Sequence, residues 1–157
     1  MLKIPKHLSV LLSLAIAAVF FVICIAGLFV MPWLCRVLID LPDNIGNRGE
    51  ITQAGRTLVL AISYGILIVF MLADGLLIRL LLKVRNGQVF TPQAVGCIRG
   101  VSWCCFLLCL LFGVLTVYFQ LSALVAFLAV FLGLCLRVCK NAIEEATTIK
   151  NENDLTV

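Results

Sequence analysis

"VSWCCFLLCLLFGVLTVYFQLSALVAFLAVFLGLCL", residues 101–136, contains no Asp, Glu, Lys, Arg or His. As one helix it would reach about 54 Å at ~1.5 Å per residue, far more than the roughly 30 Å of a bilayer's hydrocarbon. It must fold back and cross twice. "VYFQLS", residues 117–122, is the expected turn, because Tyr118 and Gln120 suit a headgroup interface.

Two further apolar runs lie upstream, Leu8 to Leu34 and Leu58 to Leu82. The first is too long for the core of a cleaved signal peptide, so it reads as a retained span. The expected architecture is an all-α membrane protein, a bundle of four transmembrane helices forming one domain over residues 1–157. The spans fall at about 8–34, 58–82, 97–118 and 121–140, with a helical extension and tail over 141–157.

Composition agrees. Of 157 residues, 63% are hydrophobic and 13% charged, and the mean hydropathy is +1.17. Water-soluble domains are nearer half apolar and a quarter charged. Lys3, Lys6, Arg79, Lys83, Arg85, Arg99, Arg137, Lys140 and Lys150 fall on the side holding both termini. Arg36, Arg48 and Arg56 fall on the other, set against Asp40, Asp43 and Glu50. An excess of positive charge marks the cytoplasmic side, so both termini are expected there, in a bacterial inner membrane. The net charge of +4 is met by anionic lipid, and no direct contact with nucleic acid is expected.

The inner loop announces a helix start. In Phe90-Thr91-Pro92, Thr91 can cap free backbone N–H groups and Pro92 suits the first helical position. Phe90 and Val95 have the spacing of a hydrophobic staple. Helix three should therefore begin about two turns before its apolar run. Past Leu136, Cys139, Ile143, Ala146 and Ile149 form an apolar stripe on a polar helix. That stripe must be covered by the stub of helix three, by the membrane surface or by a second protein. At the other side, the loop over 35–57 follows Pro32 and Trp33 at the membrane boundary and reads as a solvated connector.

The inner loop with Gly87, Phe90 and Thr91, together with the tail Glu152, Asn153, Asp154, Leu155, Thr156 and Val157, resembles a bacterial membrane family of unassigned activity, domain-of-unknown-function family 2975. The likeness covers nearly the whole chain. It implies an acid and an amide after the Phe-Thr pair, where this chain has Gln93 and Ala94. It also implies a regulatory association, because relatives are often encoded beside a small helix-turn-helix regulator of the Cro type.

Catalysis is not expected. His7, the sole histidine, lies in the N-terminal tail, Ser102 has no base near it in sequence, and the eight cysteines contain no CxxC pair. No cofactor or metal is called for. Asp74 is the one carboxylate inside a span, about eight residues from its end or roughly 12 Å deep. A charge there is costly and marks function or pairing. One reading is a packing tie to Arg137 or Arg99. The other is a small transporter or channel subunit working through Asp74, with Gly75 beside it admitting a neighbouring helix. The expected function is a non-catalytic binding or regulatory membrane protein. Its partners would be the lipid bilayer, a cytosolic transcriptional regulator on its inner face, and further copies of itself in a homo-oligomer.

Overall fold

A computed structural model describes residues 6–40, 52–86 and 91–154, with side chains from 9 to 149 within those segments. They form four helices: α1 (Lys6–Ile39), α2 (Gln53–Arg85), α3 (Pro92–Leu115) and α4 (Ser122–Asp154). All four are long and apolar enough to cross a membrane. Helix is what such a sequence must adopt in hydrocarbon, where every backbone polar group needs an internal partner. The side chains facing outward are large and apolar, with Phe29 83% exposed and Val138 69%. A surface of that kind requires lipid as its solvent.

The apolar segment 101–136 turns over residues 116–121. There Tyr118 N–H donates to Leu115 O at 3.0 Å and Ser122 N–H to Phe119 O at 3.0 Å. At the outer connection α1 does not stop at Pro32 and Trp33. It continues to Ile39, and α2 begins at Gln53, so the expected loop over 35–57 is shorter at both ends. Pro32 sits inside α1, where it cannot donate to the carbonyl of Leu28. The Tyr64 hydroxyl on α2 donates to that carbonyl instead, at 3.3 Å.

Successive helices run antiparallel, and the described ends of α1 and α4 share one end of the array. α1 packs on α2, α2 on α3 and α3 on α4, and among the described residues no other helix pair brings Cα atoms within 8 Å. The four helices thus stand in a row and do not close into a ring. The core lies between α2 and α3, built from Val59, Ile66, Val69, Leu108 and Leu115.

Small residues set the closest approaches. A Cβ at Gly100 would meet Leu76 Cδ1 at 2.8 Å, and one at Gly133 would meet Cys105 Cβ at 3.2 Å. Beside the second contact, Ser102 Oγ donates to Gly133 O at 3.0 Å from a buried position. Small-residue contacts with an interhelical hydrogen bond are the usual adhesive where lipid removes the hydrophobic drive. Gly75, expected to admit a neighbour, has nothing within 4 Å of its Cβ position.

Candidate functional site

The row leaves a cleft. Among the described residues α1 and α3 both lean on α2 while their own backbones stay more than 8 Å apart at Cα, so α2 forms the floor of a groove of about 530 Å³. Ser13, Ala17 and Phe20 line it from α1, Phe70 and Leu77 from α2, and Val101 from α3. Phe20 and Phe70 meet edge to face at 6.3 Å. Asp74 lies on the floor, only 5% exposed, and its Oδ2 is buried without a hydrogen-bond partner.

The structure does not make the expected tie from Asp74 to Arg137 or Arg99. Both cations belong to the α3–α4 contact, and among the described residues no Cα of α4 comes within 8 Å of one in α2. The Arg137 guanidinium lies 5.4 Å from the Trp103 ring centre and 5.8 Å from that of Phe106. These distances suit cation–π attraction. Arg99 instead pairs with Glu144 on α4 at 3.7 Å. Asp74 therefore holds no helix in place through an ion pair among the described residues.

A second feature forms where α3 begins and α4 ends. Thr91 Oγ1 accepts from Ala94 N–H at 3.3 Å, with Pro92 in the first turn. Val95 is buried, while Phe90 lies outside the described residues. α4 continues as one helix to Asp154 and lies along this start. A cleft of about 290 Å³ separates them, lined by Pro92, Val95, Arg99, Glu144 and Thr147 among others. Glu144 also pairs with Lys140.

The predicted stripe divides here. Ile143 and Ala146 are half-buried, whereas Cys139 and Ile149 are exposed. The buried residue on this stretch is Thr147, whose hydroxyl donates to its own helix at Ile143 O, 2.7 Å away. Glu152, Asn153 and Asp154 continue the helical backbone. Leu155, Thr156 and Val157 lie outside the described residues.

A family model for a protein of unknown function (DUF2975) matches residues 2–157. The chain belongs to that family. No curated protein and no solved structure matches it. DUF2975 membership carries no assigned chemistry, so the site must be read from its own geometry. At the two positions where the DUF2975 resemblance implies an acid and an amide, Gln93 accepts a hydrogen bond from Lys83 on α2, and Ala94 is wholly buried. Lys83 thereby ties α2 to α3 as well as ending a span. Among the described residues, no group of three or more His, Cys, Asp or Glu could hold a metal ion, and the cysteines are free thiols.

Proposed function

We propose that this DUF2975 member is a non-catalytic regulatory protein of a bacterial inner membrane, with both termini cytoplasmic, that binds a soluble partner on the paired ends of α3 and α4. The observation that carries this reading is the docked extension of α4. Arg99 and Glu144 join it to the start of α3, yet Cys139 and Ile149 remain exposed on it. A helix already held in position loses little conformational entropy when a partner settles on it. A small helix-turn-helix regulator kept at the membrane is the partner that the family association favours.

Pull-down from detergent tests this with intact protein and an Ile149→Glu variant, which changes the exposed face and leaves the Arg99–Glu144 contact in place. Loss of a soluble partner from the variant is expected. An identical set of soluble partners with both proteins overturns the reading.

A second reading, transport, is favoured by one observation, the unpartnered Oδ2 of Asp74 in an apolar groove. Its test is flux in liposomes with native protein and Asp74→Asn, and equal flux through both removes it.

A further inference from the structure

We infer that the groove floored by Asp74 is a binding site for a lipophilic amine, a single protonated nitrogen carried on an aliphatic or aromatic body. The walls supply the apolar half of the recognition: Ala17 and Phe20 on one side, Val101 on the other, with Phe70 and Leu77 beside the carboxylate. At about 530 Å³ the groove falls in the range of small-molecule sites, which are concave, mostly apolar and equipped with few polar groups. The one charged group in it is Asp74, and its Oδ2 makes no hydrogen bond.

A buried carboxylate oxygen calls for a donor. No described side chain supplies one, and Arg99 and Arg137 are engaged across the α3–α4 contact. The N–H of an amine would supply that donor, and its positive charge would pair with the carboxylate. Ser13, at the exposed edge of the groove, is bonded to its own helix at Ser9 O, 3.0 Å away, which leaves the carboxylate as the polar anchor. The faces of Phe20 and Phe70 add attraction for a cation placed near them. A neutral alcohol would fill the same space without the charge. A quaternary ammonium would bring the charge without the N–H.

This inference is independent of the cytoplasmic docking face. It deepens the transport reading by naming a cargo class, but it requires only binding. Binding without flux would leave it standing and remove transport alone.

The test uses the full chain in phosphatidylcholine nanodiscs, titrated with tritiated dodecylamine, with dodecanol and dodecyltrimethylammonium as competitors. Saturable binding is expected in native protein and in Asp74→Glu, with at least tenfold weakening in Asp74→Asn. Ser13→Phe, which fills the groove from an exposed wall and leaves the carboxylate intact, should weaken binding as well. Dodecanol should fail to compete, and dodecyltrimethylammonium should compete at least tenfold less well than unlabelled dodecylamine. Equal binding by native and Asn variants that melt alike overturns the proposal. So does effective competition by dodecanol, or uptake that never saturates. Dimeric native protein that becomes monomeric on Asp74→Asn would also overturn it, by giving the groove to a second copy of the chain.

Discussion

Tyr64 on α2 donates its hydroxyl proton to the carbonyl oxygen of Leu28 on α1 at 3.3 Å, and Leu28 stands four residues before Pro32. A helical carbonyl normally accepts from the N–H four residues later, and proline has none. The neighbouring helix thus supplies what the ring removes, and a local backbone defect becomes an interhelical contact. In lipid this matters more than in water, because no solvent is present to fill the vacancy.

Tyr64→Phe is therefore expected to destabilise the protein by about 0.6–1.5 kcal/mol, the range of interhelical hydrogen bonds in membranes. Pro32→Ala restores an N–H for Leu28 O, so the same Tyr64→Phe change should then cost close to nothing. A double-mutant cycle by unfolding in mixed micelles measures this coupling. Equal effects of Tyr64→Phe in the two backgrounds would show that the proline and the tyrosine are unrelated.

The two close glycines should respond in an order opposite to their clash distances. At Gly100 the obstructing atom is the far end of Leu76 at 2.8 Å. Rotation of that side chain relieves it, so Gly100→Ala should cost about 1 kcal/mol, as an off-rotamer side chain does. Leu76→Ala should suppress this effect. At Gly133 the obstruction is Cys105 Cβ at 3.2 Å, which moves only with its backbone. The Ser102 hydrogen bond lies beside it. Gly133→Ala should force α3 and α4 apart and cost about 2–3 kcal/mol, as overpacking does. Melting temperatures of the two single variants decide the ranking.

Asp74→Leu is expected to stabilise the ligand-free protein, by about 1–3 kcal/mol, because it removes a buried polar oxygen that has no partner. A packing tie would give the reverse sign. Thermal unfolding in detergent free of amines distinguishes them, and a lowered melting temperature would point to a partner for Asp74.

Labelling of the cysteines should follow burial. Cys135 and Cys139 are exposed, whereas Cys24 and Cys35 are buried. A membrane-permeable maleimide should modify Cys139, beside Lys140 near the end of the apolar run, well before Cys24 in the middle of α1, because the thiolate is the reacting form, and mass spectrometry of timed samples reads the order. Early modification of Cys24 would show that α1 separates readily from α2.

Much of this fold was legible in the chain because membrane crossing is written in length and apolarity alone. Residues 101–136 had to turn, and the turn falls over 116–121 because Leu115 and Ser122 bracket the most polar part of the run. Lateral arrangement was not legible. Nothing in the residues says whether α4 returns to α2 or stays outside α3, since lipid-facing and helix-facing positions are equally greasy. That is why Asp74 stands out in the sequence while its surroundings do not: Arg137 faces Trp103 and Phe106 across the α3–α4 contact. The interhelical roles of Gln93, Tyr64 and Ser102 are hidden for a related reason. Their roles depend on register between helices, and a single polar side chain in a span says only that some partner exists. Pro32 was the one available clue, because its missing N–H points back to Leu28.

The neighbour-only order of the helices bears on how the protein is made. Each segment finds its docking surface on the one that left the ribosome just before it, so insertion and assembly can advance together with no early segment waiting for a late one. Contacts this local favour rapid maturation. A nascent chain halted after α2 already contains both halves of the Tyr64–Leu28 clasp.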